Sequence, residues 1–374
     1  MTKQQHEISE QFDVVVIGGG QAGLAAGYHL AAADFDFVIL DSGARIGDAW
    51  RNRWDSLRLF TPAQQNGLPG MPFPGVYGSF PTKDEMAAYL EGYAKHFDLP
   101  IRLETPVDRL RRIGDRYVIS SGWDLFEAND VVVATGAYAE PRTPVFAGEL
   151  DPRTVQLHSA AYRNPDQLQP GPVLVVGAGN SGVEIALETA LAGHETWLAG
   201  RPTGRLPAIT RAAGGRPFWW FANRVLTVDT PIGRRFRERV LSHGGPLIRV
   251  QPAELTEARV KLASRVAGVS HGQPMLEDKG SLAVTNVIWS TGFQSDFSWI
   301  EVPVFAGDSL PIHHRGIVED APGLYFLGLP FLYGLTSGLV GGVGRDAEHI
   351  VDHIRRHQEP MSGASADVVE GTAG

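Results

Sequence analysis

The chain of 374 residues contains no cysteine. That single absence excludes disulfides, thiolate metal centres and thiol redox catalysis together. Positive charge is also scarce: 33 Lys and Arg stand against 42 Asp and Glu, for a formal net charge of −9. With no long basic stripe, a general nucleic-acid role is excluded. The local run RRFRER, residues 234–239, reads as a solvated helix face. An apolar leader is missing as well, because MTKQQHEISEQF is polar and carries no secretory signal. The expectation is a cytoplasmic enzyme. Charge is absent from residues 321–344, a stretch long enough to invite a membrane reading. Its glycines, with Pro322 and Pro330, argue instead for a buried strand, a loop and a helix start, so no membrane span is expected.

Glycine and β-branched residues are plentiful, and they fall into a pattern that occurs twice. VVVIGGGQAGLAAGYHL runs from Val14 to Leu30, and VLVVGAGNSGVEIALETA from Val173 to Ala190. Each reads as strand, glycine turn and helix. In the first, Gly18 makes the tight turn, Gly20 lets backbone approach a pyrophosphate, and Gly23 lets helix and strand pack closely. The helix start then offers free N–H groups and partial positive charge to the phosphates. Asp41 ends the next strand, where an acid can accept from the ribose hydroxyls of an adenosine. Gly177, Gly179 and Gly182 repeat the turn, but no acid ends the strand that follows. Arg201 stands there, with Arg205 near it, and a guanidinium suits a 2′-phosphate. The first seat therefore predicts FAD, and the second leans towards NADPH, with NADH still open.

The repeat extends further. A strand ends in Ala134-Thr135-Gly136 and another in Ser290-Thr291-Gly292, and the interval from turn glycine to threonine is 117 residues in one copy and 114 in the other. The fold class is α/β, with two Rossmann-type dinucleotide-binding domains. The FAD domain is discontinuous, residues 1–165 and 286–356, and the NAD(P)H domain, 166–285, is inserted within it. Residues 80–97 form the clearest amphipathic helix, with Thr82 as cap and Glu85 as its capping-box partner. Residues 217–226 are an aromatic helix candidate. A last helix is expected over 346–357, and a disordered tail over 357–374.

Several long segments resemble the flavin-containing monooxygenases, above all their short bacterial members and the plant indole-pyruvate (YUCCA-type) enzymes. They include GGGQAGLAAGYHL, RIGDAWRNRWDSLRLFTP, VVVATGAYAEPRTP, VLVVGAGNSGVEIA and VIWSTGF, and the likeness covers about residues 12–356. The resemblance implies that Arg45, Gly47 and Trp50 belong to a flavin-binding loop, and that Thr135 and Gly136 mark the crossing between domains. It implies that Asn180 and Ser181 contact the nicotinamide dinucleotide near the flavin, with Asn180 the candidate catalytic residue. Thr291 and Gly292 are the matching cofactor-side positions of the second copy. The family's fingerprint is met at His158 and Tyr162, while Pro152 and Thr154 replace its Phe and Gly. Leu59 and Phe60 stand where many members carry an active-site Asn, and Gln64, Gln65 and Asn66 follow.

Two-dinucleotide flavoproteins divide by what receives the electrons, and a disulfide acceptor is excluded here. What the resemblance implies is transfer from NADPH to FAD, reaction with O₂, and delivery of one oxygen atom to a small nucleophilic sulfur, nitrogen or carbonyl carbon through a flavin hydroperoxide. The partners are then a small-molecule substrate and O₂. The alternative is a reductase that passes electrons to a protein or quinone; a third reading is a non-catalytic redox sensor. No metal site is expected. His349, His353 and His357 recur at i, i+4, i+8 but read as a solvated face. Phe218, Trp219 and Trp220 read as core packing or a contact in a homodimer.

Overall fold

The computed structural model describes residues 9–201, 204, 215–243, 246–278, 280–307 and 310–358. Along the chain, β1 (Ser9–Ile17) leads into α1 (Gln21–Ala32), β2 (Phe37–Leu40), the short α2 (Asp48–Arg51) and α3 (Lys83–His96). Next come β3 (Ile101–Arg102), β4 (Arg109–Ile113), β5 (Arg116–Ser121) and β6 (Asp124–Val133). The chain continues through β7 (Glu140–Pro141), β8 (Val155–His158), β9 (Val173–Val176), α4 (Asn180–Leu191) and β10 (Thr196–Ala199). There follow α5 (Arg216–Arg224), α6 (Pro231–His243), α7 (Pro252–Glu257), β11 (Lys261–Ala263), β12 (Val266–Ser270), β13 (Gln273–Leu276) and β14 (Gly280–Ser281). The last elements are β15 (Asn286–Trp289), β16 (Phe293–Gln294), β17 (Leu324–Phe326) and α8 (Val340–Gln358).

Runs of apolar β-branched residues form strands that are buried on both faces, as central strands of parallel sheets are. In the first sheet β3, β2, β1 and β6 lie side by side and parallel. β6 changes character along its length. Its first half alternates between buried and exposed positions and pairs antiparallel with β5. Its last four residues are all buried, and the final three pair in parallel with β17. The second sheet has the order β11-β10-β9-β15-β8, all parallel. β12, β13 and β14 form an antiparallel meander beside it.

The sheet pairing moves two strands. Boundaries at 165 and 286 leave β8 and β15 with the first unit, but both lie in the second sheet, β15 between β9 and β8. A fully buried strand takes its place from the strands it hydrogen-bonds, and all four positions of β15 are buried. The chain crosses between the sheets earlier on the way out and later on the way back. At those crossings β7 and β16 pair antiparallel, and the Arg142 N–H donates to the Gly292 carbonyl at 3.0 Å.

α3 carries the expected capping box: the Glu85 N–H donates to the Thr82 hydroxyl while the Glu85 carboxylate accepts from the Thr82 N–H. α8 begins at Val340, six residues before the expected start at 346. Its first turns carry Gly341, Gly342 and Gly344, which lower helix propensity. Here they are required by close packing, because a Cβ on Gly341 would lie 2.1 Å from the Gln65 carbonyl oxygen and one on Gly342 2.0 Å from that of Thr336. The uncharged stretch 321–344 is β17, a loop and this helix start; among the described residues no helix is long and apolar enough to cross a membrane.

Of the α8 histidines expected to form a solvated face, His357 is exposed, whereas His349 and His353 are partly covered. The His353 Nδ1 lies 3.1 Å from the Tyr325 hydroxyl, and the His349 Nε2 is buried. β17 and the 313–315 loop cover that side of the helix, which the i, i+4, i+8 spacing alone does not reveal. Among the described residues, no three His, Cys, Asp or Glu are grouped to hold a metal ion. On α5, Trp219 enters the core while Trp220 stands 64% exposed.

Candidate active site

Each glycine turn is shaped by what a side chain would strike. Gly18 has φ +110°, and a Cβ there would meet the Ala134 carbonyl oxygen at 2.7 Å. A Cβ on Gly23 would sit 1.8 Å from the Gly18 carbonyl oxygen, so helix α1 and strand β1 touch through that glycine. Gly20 differs: a Cβ there would meet no protein atom within 4 Å. Protein packing does not require glycine at this place, but a pyrophosphate drawn against the backbone does. Gly20 is also the N-cap of α1, with no side-chain cap bond, so the first N–H groups of the helix are left for a ligand. Asp41 accepts from the Gly19 N–H at 2.6 Å and the Gly43 N–H at 2.8 Å. It braces the turn, and a carboxylate so engaged still has lone pairs for a ribose.

The second turn is built to the same plan. The Cβ of a residue at 177 would strike the Ser290 carbonyl oxygen at 2.2 Å, and one at 182 the Gly177 carbonyl oxygen at 1.7 Å. Around Gly179 there is again nothing within 4 Å, and α4 starts there without a side-chain cap. Gly200, φ +145°, passes so close to this turn that a Cβ would lie 3.0 Å from the Ala178 nitrogen. Arg201 therefore stands exposed right beside the turn. Arg205, its neighbour in the sequence reading, lies outside the described residues.

A cavity of about 690 Å³ runs from the first turn to the start of α4. Gly18, Gly20, Asp41, Arg45, Gly47, Trp50, Thr135, Gly136, Asn180 and Ser181 all line it. Its size suits a cofactor site. Gly47 supplies φ +89° and lies against α3, where a Cβ would meet the Ala87 carbonyl oxygen at 2.7 Å. Gly23, Gly177, Gly179, Gly182, Arg201, Thr291 and Gly292 do not line this cavity. The Thr291 hydroxyl donates to the Arg142 carbonyl, and the Gly292 carbonyl accepts from His158 Nε2 at 3.0 Å. His158 Nδ1 accepts from the Ala160 N–H at 3.1 Å, so both ring nitrogens are in use and burial holds the ring neutral. Tyr162 is fully buried and donates to Glu188 at 2.8 Å. His158 thus ties β8 to the crossing at Gly292, and Tyr162 ties the segment after β8 to α4.

Of the remaining lining residues, Leu59 and Phe60 are marked by the family resemblance, while Trp54, Leu57, Leu339 and Val340 carry no signal in the sequence. Trp54, Leu57, Leu59 and Phe60 wall one end together with Leu339 and Val340 of α8. Asn66, near the place of the family's active-site amide, is fully buried and accepts from the Thr61 hydroxyl at 2.5 Å while donating to the Thr61 and Pro62 carbonyls. Asn180 spans a neighbouring segment: its amide donates to the Pro246 carbonyl and accepts from the Ile248 N–H, both at 3.3 Å. One turn on, Glu184 lines the cavity and pairs with Arg249 at 3.0 Å. Burial pushes the Glu184 carboxyl up and Arg249 pulls it back. Only the i, i+4 step from Asn180 could have drawn attention to Glu184.

Two bare helix starts, two glycine turns and a shared cleft define an oxidoreductase that holds two dinucleotides. Residues 15–207 match the family described as pyridine nucleotide-disulphide oxidoreductase, and the chain belongs to that family. It is 42% identical over 348 residues to an uncharacterized CzcO-like oxidoreductase of Geobacillus kaustophilus, covering 92% of this chain and 99% of that one. The structure is similar to a flavin-containing monooxygenase from Stenotrophomonas maltophilia, with TM-score 0.76, 30% identity and coverage of 93% and 99% of the two chains. Indole-3-pyruvate monooxygenase YUCCA1 of Oryza sativa is 35% identical over 193 residues, 50% of this chain and 48% of that one. Within its family the chain is a flavin-dependent monooxygenase, and the enzymes of this class work with FAD and a nicotinamide dinucleotide. The disulphide chemistry in the family's description has no counterpart here, since the sequence contains no cysteine.

Proposed function

We propose that the enzyme uses NADPH, FAD and O₂ to place one oxygen atom on a small substrate, either at a nucleophilic sulfur or nitrogen or beside an electrophilic carbonyl carbon. The observation that carries this reading is the pair of open glycine cradles, Gly20 and Gly179, in a chain with no thiol to receive electrons. Bound flavin supplies the electron transfer and the reaction with oxygen. The side chains orient, exclude water and hold charge. In this reading the N–H groups at the start of α1 hold the FAD pyrophosphate and Asp41 accepts from its ribose. Arg45, Gly47 and Trp50 border the flavin, with Thr135 and Gly136 across from them. Gly177, Gly179 and Gly182 seat the nicotinamide dinucleotide, Arg201 takes its 2′-phosphate, and Thr291 and Gly292 close the far side.

Asn180 is assigned to position the nicotinamide, since the same amide ties α4 to the 246–248 segment and would move with it. Ser181 joins it at the helix start. The apolar wall of Trp54, Leu57, Leu59 and Phe60 keeps water from the reacting centre. We place the inserted unit at about 142–292, between the paired crossings, with residues 9–136 and 295–358 forming the flavin unit.

The test is turnover of a thioether or amine under isotopically labelled O₂. One labelled oxygen atom in the product is expected. NADPH oxidation that yields only hydrogen peroxide, or only a reduced quinone or protein, would instead make the enzyme a reductase.

A further inference from the structure

Arg53 lies on the loop that leaves α2, and its side chain lines the cleft. Among the described residues its guanidinium has no hydrogen bond and no ion pair; it rests over the Phe293 ring, 5.2 Å from the centroid. The other arginines of the cleft are engaged. Arg45 lies 3.9 Å from Asp48 and 4.0 Å from Glu91, and Arg58 donates to the Phe80 carbonyl at 3.0 Å.

The titratable groups that face Arg53 are the Tyr138 hydroxyl, the His158 ring and a second cation, Arg163, with no carboxylate among them. Arg163 is already spent on the Ala160 and Tyr162 carbonyls, at 2.9 and 3.1 Å. His158 is neutral and doubly bonded, as described above. A half-buried cation with five N–H donors and no anion is unfavourable by itself. The surroundings nevertheless hold it firmly. Phe293 is met edge-on by Tyr138 at 5.5 Å and by His158 at 5.1 Å. Arg53 comes from the first unit and Phe293 from the crossing strand β16, and both line the same cavity as Asn180 and Ser181.

We propose that Arg53 anchors an anionic oxygen group of a ligand in this cleft, either a phosphate of the nicotinamide dinucleotide or a carboxylate on the substrate. The proposal rests on the cleft being the cofactor and substrate site. Its test reads binding, so it is decided separately from whether oxygen is transferred. Flavin-loaded enzyme is titrated with NADP⁺, with phenylacetate and with its neutral analogue phenylacetamide, following the flavin difference spectrum. Arg53→Gln should weaken one of the two anions about tenfold or more, leave phenylacetamide unchanged, and be partly rescued by Arg53→Lys. A loss confined to NADP⁺ assigns a phosphate; a loss confined to phenylacetate assigns a carboxylate. Arg53→Met, which keeps an unbranched stem over Phe293, serves as the neutral variant if the glutamine protein sheds its flavin. Unchanged affinity for both anions overturns the proposal. So does an equal loss for phenylacetamide, which would mark lost packing and not lost charge.

Discussion

The two nucleotide units share a skeleton and differ at one strand tip. In both, the turn glycine lies against the end of a neighbouring strand, the third glycine touches the first, and the middle one faces open space. In the first unit the tip residue is Asp41, tied back to the Gly19 and Gly43 amides. In the second, the tip is Gly200 followed by Arg201, and the loop is pressed onto the turn itself with nothing acidic between. The two turns thus share one geometry, and under the proposed function the choice of dinucleotide falls on a single position beyond the strand. The units also differ in how far they enclose a ligand. The first contributes most of the cavity wall, while the second brings only the start of α4 to it. Under the proposed function, the first would hold the cofactor that stays bound and the second the one exchanged at turnover.

The largest effects should come from the glycines that close each turn. Gly23→Val and Gly182→Val both force a Cβ into a carbonyl oxygen, and each should cost on the order of 3 kcal/mol by overpacking. Their consequences should part. The first should purify without colour, whereas the second should keep its flavin and lose reduction by NADPH. Absorbance spectra before and after NADPH addition read both; a second variant that is colourless would merge the two units into one folding event. Next in size is Gly20→Val, where space is open. It should lose flavin while the melting temperature of the flavin-free protein stays that of the parent. A yellow Gly20→Val protein would remove the phosphate from this helix start.

Arg201→Ala should raise KM for NADPH about tenfold, the worth of one charge-assisted contact, and leave KM for NADH alone. Equal effects on both coenzymes would end the distinction between the strand tips. Asn180→Ala belongs beside it: oxygenation should fall relative to NADPH oxidation, with more peroxide released, and unchanged coupling would deny Asn180 its positioning role.

The smallest effect expected is on acid stability, and it should fall on the first unit. His313 and His349 are pressed by burial, and by nearby arginines, from the ordinary 6.5 to about 4. Because these folded-state values are lower than the unfolded ones, the unfolded chain binds more protons between them. Stability from these groups is therefore complete above about pH 6.5 and is lost as pH falls towards 4. Denaturant titrations from neutral to acid pH should show this slope in the parent and a shallower one in His313→Asn/His349→Gln. Equal slopes would assign the acid loss to other groups.

The legible parts of the fold were those written in local chemistry. Glycine spacing behind a β-branched run, and Thr82 three residues before Glu85, each describe one short piece of backbone, and the structure has both. Less was legible where a residue answers to a distant neighbour. Gly341 and Gly342 weaken a helix on paper, yet α8 contains them because Gln65 and Thr336 come too close for a side chain. β15 reads as a strand anywhere, and only its pairing with β9 and β8 assigns it to the second sheet. Within the site, Glu184 and Arg53 are ordinary charged residues until Arg249 and Phe293 are set against them.

The antiparallel pairing of β7 with β16 has a consequence for the ancestry and engineering of this architecture. The whole inserted unit enters and exits through one doorway, its two ends a single hydrogen bond apart, as the 3.0 Å contact between Arg142 and Gly292 measures. A cassette with touching ends can be excised, transplanted or exchanged while the host sheet keeps its strand order. Exchanging the inserted unit between relatives needs chain cuts only at these two neighbouring points.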